Sequence, residues 1–249
     1  MTKINFKYNF KYDAYNWVRQ VIFMSPGSAD RIPLNIQKEI LKLYKKNQIS
    51  HLDLLDSMNH PTIEFVVDYI KKSQDIKSIE SIRKELEVFW RKKETKFFKI
   101  LLEIIQKPIY RASYNCYLST VFNCPFYEKE NWIMVSAFSD RTNQIYVVAH
   151  EFMHLQFIHW YKKYCLDKGL TKKEFWHIQE AITFLLNEPE FNNVIVFQDK
   201  GYRIHQELRK KLKGLWKKNK DFNNFLNEVI TFKQNYLGKY LGNSKKIYK

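Results

Sequence analysis

A long amphipathic segment constrains the fold of this chain more than any other feature of its sequence. Between Ser78 and Gln106, apolar residues recur at spacings of three, four and seven, which is typical of one face of an α-helix. They are Ile79, Ile82, Leu86, Phe89, Trp90, Phe97 and Leu101. The 249 residues include only 6 Gly and 6 Pro, which argues against a turn-dense all-β protein.

Further helices are predicted along most of the chain. Pro61 stands at a first-turn position, and Thr171 precedes Glu174 by the three residues of a capping box. The first thirty residues resemble a short strand or arm that ends in a turn at Ser25–Asp30. The predicted helical ranges are 33–47, 60–73, 144–166, 171–186, 203–218 and 221–241.

The sequence changes character after Pro108. Residues 110–124 and 131–139 are rich in β-branched and aromatic residues, and "PFYEKE" between them predicts a hairpin connection. We therefore expect an α+β fold that is predominantly helical. Pro108 is also a candidate boundary between a mainly helical region, 1–108, of unknown role and a second region, 109–249, although one integrated domain would fit as well.

Composition excludes some classes of protein. The chain is 45% hydrophobic and 16% aromatic, which excludes a disordered protein. Its net charge of +16 favours nucleic-acid binding, but the lysines are spread over every predicted helix. The strongest basic segment is "RKKLKGLWKKNK", residues 209–220, which is also typical of the solvated face of an amphipathic helix.

The cysteines and apolar runs indicate a cellular location. Cys116, Cys124 and Cys165 are odd in number and form no CxxC pair, which fits reduced thiols better than a disulfide framework. The first seventeen residues have no apolar signal core, and no apolar run is long enough to span a bilayer. We expect a soluble cytoplasmic protein with no membrane partner, and the sequence indicates no oligomeric state.

The segment from Ile145 to Trp160, "IYVVAHEFMHLQFIHW", carries the clearest chemistry. His150 and His154 are four residues apart, so on a helix both imidazoles lie on one face at a reach suited to one Zn²⁺. Glu151 cannot occupy the same coordination position. It can approach a water beside the metal, where a general base belongs, so each fixed residue of the HExxH pattern has a chemical reason.

"VVAHEFMH" resembles the active-site helix of the zincin metallopeptidases, and the β region before it adds to the likeness, which extends over about residues 113–205. In zincins an edge strand above this helix holds a peptide in extended form. The resemblance implies that "NWIMVSAFS" is that strand, so that its backbone binds substrate by β-augmentation. The residues expected to contact the peptide are Ile133, Val135, Ser136 and Ala137.

The resemblance also guides the choice of a third zinc ligand. The zincin branch with HExxHxxGxxH is excluded, because Phe157 and Trp160 stand where it needs glycine and histidine. The gluzincin branch takes a glutamate from a second helix twenty to thirty residues downstream, which implies Glu180. This residue lies close to an apolar helix face, where an unpaired carboxylate is costly. His177, one turn earlier, is the rival ligand or a hydrogen-bonding partner of a ligand.

Amide hydrolysis also requires a donor for the developing oxyanion, which zincins supply as Tyr or His from a later segment. Tyr202 and His205 are the candidates, and the sequence does not choose between them. We expect a zinc-dependent peptidase with one Zn²⁺ per chain and a peptide or protein substrate. The alternatives are an HExxH protease of narrow specificity that cleaves one repressor-like partner, and a basic helical nucleic-acid-binding protein without catalysis.

Overall fold

The computed structural model describes residues 2–23, 31–47 and 58–241, so the turn predicted at Ser25–Asp30 lies outside the described residues. Within these ranges the chain forms eight α-helices and a four-stranded mixed sheet, which confirms a mainly helical α+β fold. The helices are α1 (Phe10–Phe23), α2 (Leu34–Asn47), α3 (Pro61–Ser73), α4 (Ile76–Ile105), α5 (Arg141–Asp167), α6 (Lys172–Ile182), α7 (Gln206–Lys218) and α8 (Phe222–Leu241). The strands are β1 (Lys3–Tyr8), β2 (Ser113–Ser119), β3 (Phe126–Tyr127) and β4 (Trp132–Ser136).

The chain divides into two compact units. The sheet unit consists of Lys3–Lys92 and Ser113–Glu151, and the helical unit consists of Met1–Thr2, Lys93–Ala112 and Phe152–Lys249. Helices α4 and α5 each continue without a break from one unit into the other. Each unit takes residues from both sides of Pro108, and the domain boundary near Pro108 stays a prediction.

The strand order in the sheet unit is β1-β2-β4-β3. β2 pairs in parallel with both β1 and β4, and the hairpin connection predicted between β2 and β4 is therefore wrong. The "PFYEKE" segment instead forms β3 and a tight turn into β4, with which β3 is antiparallel. At the end of this turn Asn131 takes a left-handed conformation with φ of 56°, which asparagine tolerates better than most residues.

Helix α1 was not expected, because its buried face mixes polar with apolar residues. Asp13 and Asn16 are both 0% exposed, beside the apolar Trp17 and Val18. Asp13 accepts hydrogen bonds of 2.8 Å from the Ser119 hydroxyl and from the amide and hydroxyl of the next residue, Thr120. Burial nevertheless raises the pKa of Asp13 above its usual value, and the hydrogen bonds oppose this shift. This network fixes α1 against the end of β2.

The helical unit has an aromatic core around the second half of α5. The ring of Phe152 contacts Phe97 and Phe98 with centroid distances of 5.9 and 5.0 Å, and Phe157 stacks on Phe175 at 5.3 Å. These contacts bury one side of α5 along most of its length in this unit. None of the helices in the described ranges is long and apolar enough to cross a membrane.

Helix α6 follows α5 after a short turn. The capping box predicted from Thr171 and Glu174 is present, with both reciprocal hydrogen bonds formed. The helix ends at Ile182, four residues earlier than predicted, and continues as a 3₁₀-helix over Thr183–Asn187. The Thr183 hydroxyl donates to the Glu180 carbonyl at 2.9 Å, which satisfies one carbonyl at the helix end. The start and direction of α6 determine where Glu180 lies.

Candidate metal centre

Helix α5 carries the two histidines in a strongly apolar setting. Val148, Ala149 and Phe152 are each 0% exposed. His154 is buried among them, whereas His150 and Glu151 are half-buried. His150 precedes His154 by one turn of the same uninterrupted helix, so helical geometry alone places the two imidazoles on one face.

Glu180 of α6 joins this pair. Each of His150, His154 and Glu180 offers one ligand atom, and the three atoms lie within 4.8 Å of one another. Nε2 of His154 is 3.6 Å from Oε2 of Glu180, and the two side chains are 2% and 10% exposed. The sequence predicted this set of three residues, and the fold brings them together.

The distance between His154 and Glu180 bears on what the pair does. At 3.6 Å the two atoms are too far apart for a good hydrogen bond, which would lie near 2.9 Å. Two ligands of one tetrahedral zinc ion, each about 2.0–2.1 Å from the metal, are separated by roughly 3.3 Å. The observed separation is therefore closer to that of two ligands of one ion than to that of a directly bonded pair. Two imidazoles and a carboxylate are also a donor set that zinc accepts.

Tyr146 is a site residue that our sequence reasoning missed. Its hydroxyl lies 3.4 Å from Nδ1 of His150, and the two ring centroids are 5.7 Å apart. A hydrogen-bonding partner at one ring nitrogen orients a histidine whose other nitrogen binds a metal. The signal was present in the sequence, because Tyr146 stands four residues before His150, the same spacing that links His150 to His154.

Glu151 acts electrostatically on two cysteines of the sheet unit. Burial, followed by the negative charge of Glu151, raises the pKa of Cys124 to about 12. Burial likewise raises the pKa of Cys116, with smaller contributions from Cys124 and Glu151. All three cysteines are free thiols, and the two near Glu151 are protonated at neutral pH.

His177 and His205 form a buried pair. Nδ1 of His177 lies 2.9 Å from Nε2 of His205, and the residues are 4% and 1% exposed. Trp176 contacts both imidazoles, with centroid distances of 4.8 and 5.4 Å. Among the described residues, the converging ligand atoms belong to His150, His154 and Glu180 and not to His177. The structure therefore gives no support to His177 as the third ligand. Its partnership is with His205.

This pairing separates the two candidates for the oxyanion donor. His205 is almost fully buried and one of its ring nitrogens is bonded to His177. Burial, the nearby His177 and the positive charge of Arg209 lower the pKa of His205 to about 4. Tyr202 is 60% exposed and stands three residues earlier, with its ring 5.9 Å from that of His205. Of the two, only Tyr202 is open to an incoming molecule.

A buried arginine forms hydrogen bonds at the C-terminal end of α6. Arg209 is 3% exposed, and its guanidinium donates to the Thr183 hydroxyl at 2.8 Å and to the Ala181 carbonyl at 3.4 Å. Its other terminal nitrogen donates to the Asp199 carbonyl at 2.7 Å and forms an ion pair with the Asp199 carboxylate at 2.8 Å. These contacts connect α7 to the residues that directly follow Glu180.

The strand expected to bind substrate is present but is not an edge strand. β4 lies between β2 and β3, and Ile133 pairs with Cys116 on one side and Phe126 on the other. The amide of Met134 donates to the Pro125 carbonyl at 2.8 Å. The edge position was wrong because β3, only two residues long, gives too short a pattern to be recognised in the sequence.

The backbone groups of Ser136 and Ala137, the last two residues predicted to bind peptide, already form hydrogen bonds within the chain. The side-chain amide of Gln144 donates to the carbonyls of Ser136 and Ala137 at 2.9 and 3.3 Å. The Ala137 amide donates to the Ser119 carbonyl at 2.8 Å, and Val135 is 0% exposed. Peptide binding by these residues stays a prediction, and their existing contacts do not favour it.

Comparisons with protein-family models, with curated proteins and with solved structures find no significant match to this chain. The chemistry of the converging side chains is therefore the basis for assigning a function to this chain. Two imidazoles and a carboxylate converge on two consecutive helices, and a second carboxylate stands beside them on α5.

Proposed function

We propose that this chain is a zinc-dependent peptidase that hydrolyses peptide bonds. The observation that carries the proposal is the convergence of His150, His154 and Glu180, whose ligand atoms lie within 4.8 Å of one another. The Nε2 atom of His154 and the Oε2 atom of Glu180 are 3.6 Å apart, a separation that a cation bound by both atoms would fit. Two histidines and one glutamate are a ligand set that catalytic zinc sites use.

Each residue of the site has a distinct role. His150, His154 and Glu180 would hold the metal, and the Tyr146 hydroxyl orients the His150 ring. When bound, zinc would lower the pKa of a water and polarise the carbonyl of the scissile bond. The Glu151 carboxylate accepts the proton of the attacking water and transfers it to the leaving amine. Glu151 is suited to this because it adjoins His150 on α5 yet is not one of the three converging residues.

Tyr202 is the better candidate for the oxyanion donor. Its exposed side chain can approach a substrate, whereas the imidazole of His205 is buried and bonded to His177. We assign His177 and His205 a positioning role, since His177 stands one turn before Glu180 on α6. We place the enzyme in the reducing cytosol, in keeping with its three free thiols.

Metal content tests the ligand set directly. We would measure zinc per chain by elemental mass spectrometry in wild type, Glu180→Ala and the control Glu190→Ala, whose side chain is exposed beyond the end of α6. The proposal expects one zinc in wild type and in the control, and loss of zinc in Glu180→Ala. Zinc retained in Glu180→Ala would contradict the assignment of Glu180 as a ligand. A wild-type protein that binds no zinc when zinc is added would contradict the proposed peptidase function.

Cleavage tests the assignment of the base. Glu151→Gln should retain its zinc, because Glu151 is not one of the three converging residues. It should lose at least about a hundredfold in the rate of peptide cleavage, the usual contribution of a general base. A peptide library read by mass spectrometry supplies substrates without knowledge of the specificity. Unchanged cleavage by Glu151→Gln would contradict the mechanism.

A further inference from the structure

A basic groove runs along α7 in the helical unit. It has a volume of about 660 Å³, which is within the range of ligand-binding clefts. Exposed lysines from one face of α7 line it, together with Lys200 from the preceding loop. The residues that line this α7 groove include Asp199, Lys200, Arg209, Lys210, Lys213, Gly214 and Lys217, together with two glutamines.

The positive charge of the groove is not neutralised from within. Asp199 is the one acidic residue among those that line it in the described part of the chain. Its carboxylate is 2.8 Å from the Arg209 guanidinium, which also donates to Thr183 and Ala181. The charges of Asp199 and Arg209 therefore offset each other. The exposed ammonium groups of the four lysines remain to attract an anion.

A glycine forms part of the groove at the middle of α7. Glycine is the least favourable residue in a helix interior apart from proline. Packing does not require glycine at position 214, because a Cβ built there would meet no described atom within 4 Å beyond the helix's own backbone. The missing side chain leaves the helix surface open between Lys210 and Lys217. A ligand in the groove can therefore approach the helix closely.

We propose that the α7 groove binds the phosphate backbone of a nucleic-acid strand without reading its bases. Lys210, Lys213 and Lys217 span about 10 Å of helix at 1.5 Å per residue. Each ammonium group is carried on a flexible four-carbon stem, so the three groups can contact successive phosphates of a strand. Among the described residues that line the groove there is no aromatic side chain on which a base could stack. The lysines of the groove suit contacts to the phosphate backbone.

The donor type favours phosphate over the carboxylates of an acidic protein. Carboxylates are bound most specifically by the two parallel donors of an arginine. Arg209, the one arginine among the described residues that line the groove, is already bonded to Asp199. Lysine ammonium groups are point charges that bind phosphate oxygens without that planar geometry. Among the described residues that line the groove, the four cations other than Arg209 are all lysines.

Matched charge variants of the full chain test the proposal. The groove variant is Lys210→Gln, Lys213→Gln and Lys217→Gln, and the control carries the same change at three exposed lysines of α2, Lys38, Lys45 and Lys46. Each removes three positive charges from the same net charge of +16. Binding of a labelled 20-nucleotide strand of mixed sequence is measured by fluorescence anisotropy between about 50 and 200 mM salt. Inorganic polyphosphate and polyglutamate serve as competitors.

The groove variant should bind at least tenfold more weakly than wild type, and the control should stay within twofold. The slope of log affinity against log salt should become shallower by about 2 in the groove variant, since three contacts to a single strand each contribute about 0.7. For those three contacts alone, wild-type affinity falls about twentyfold over the fourfold change in salt. Gly214→Glu, which replaces glycine with a better helix former, should also abolish binding.

Three results would overturn the proposal. The first is an equal loss in the control, which would indicate diffuse attraction by the whole surface. The second is displacement of the strand by polyglutamate at the same concentration of charge, which would favour an acidic protein ligand. The third is binding of polyphosphate alone, without the strand. Binding should survive metal chelation and Glu151→Gln, so failure of the peptidase proposal is separate from failure of this one.

Discussion

Lowering the pH from about 7 to about 5 should destabilise the folded chain through His205. The imidazole is buried against His177 and close to Arg209, which lowers its pKa in the folded state from 6.5 to about 4. In the unfolded chain the same histidine has its ordinary pKa near 6.5. Between these two values the unfolded state binds more protons than the folded state, so stability is full above about pH 6.5 and is lost as the pH falls toward 4.

The magnitude follows from the difference between the two pKa values. Each unit corresponds to about 1.4 kcal/mol, so His205 alone should reduce the free energy of unfolding by about 2 kcal/mol at pH 5 relative to pH 7. The pKa of His177 is also lowered, first by burial and then by Lys173, although Glu174 opposes the shift. Protonation of His177 should therefore also reduce the free energy of unfolding as the pH falls. Against a typical stability of about 5–15 kcal/mol this is a measurable loss.

Urea denaturation followed by tryptophan fluorescence provides the assay, with chelator present to remove metal. We would compare wild type, His205→Gln and the control His159→Gln at both pH values. His159 is exposed and stacks on Tyr110 at 3.8 Å. The loss of stability between pH 7 and pH 5 should be about 2 kcal/mol smaller in His205→Gln and unchanged in His159→Gln. Equal losses in wild type and His205→Gln would refute the reasoning.

Three further predictions concern stability alone and are measured by urea denaturation at neutral pH. Gly214→Ala should raise the free energy of unfolding by up to about 1 kcal/mol, because the new Cβ meets open space. Gly201→Ala should lower the free energy of unfolding by about 2 kcal/mol, because φ of Gly201 is +60° and the new Cβ would lie 2.6 Å from the Arg209 side chain. Effects of the same sign in the two variants would contradict this. Asp13→Ala should cost about 3 kcal/mol or more, since buried donors would lose their acceptor, and a loss below about 1 kcal/mol would show that the network is dispensable. Thr171→Ala removes the hydroxyl that accepts from the Glu174 amide at the start of α6, although the backbone amide of residue 171 can still donate to the Glu174 carboxylate. The change should cost about 1 kcal/mol, and an unchanged unfolding midpoint would show that the hydroxyl adds nothing.

Local signals in the sequence predicted the helices well. The amphipathic period between Ser78 and Gln106 corresponds to α4, which begins two residues before the predicted start and ends one residue before the predicted end. Pro61 stands at the first turn of α3, and His60 accepts a hydrogen bond from the Thr62 amide as the helix cap. These features depend on neighbours within four residues along the chain, and such neighbours are visible in a sequence.

Long-range pairing was not predictable in the same way. The parallel alignment of β2 with β4 depends on the connection through β3, which is too short to show an alternating pattern. Helix α1 was missed because Asp13 and Asn16 occupy its buried face, where their hydrogen-bonding partners are Ser119, Thr120 and Asn123. Those partners are more than a hundred residues away, so the reason for burying polar side chains lies outside any local window.

In the candidate site, too, the residues set by local spacing were predictable and the long-range contacts were not. The helical spacing of His150 and His154 is local, whereas Glu180 was chosen from the resemblance to gluzincins. Its position close to an apolar helix face, where a carboxylate requires a partner, supported that choice. The pairing of His177 with His205 depends on how α6 and the segment before α7 meet, which no spacing rule reveals. The sequence therefore predicted the three converging residues better than it predicted the groups around them.

The pairing of β1 with β2 has a consequence for synthesis of the protein. Lys3 is aligned with Ser113, so β1 leaves the ribosome long before its partner exists. At about 5–20 residues per second the delay is of the order of 5–20 s. During that time the backbone of "KINFKY" is an unpaired strand able to join other nascent chains, and Lys3 and Lys7 are charges that oppose such association. A fragment that stops at Pro108 would carry this exposed strand permanently, and we expect it to aggregate.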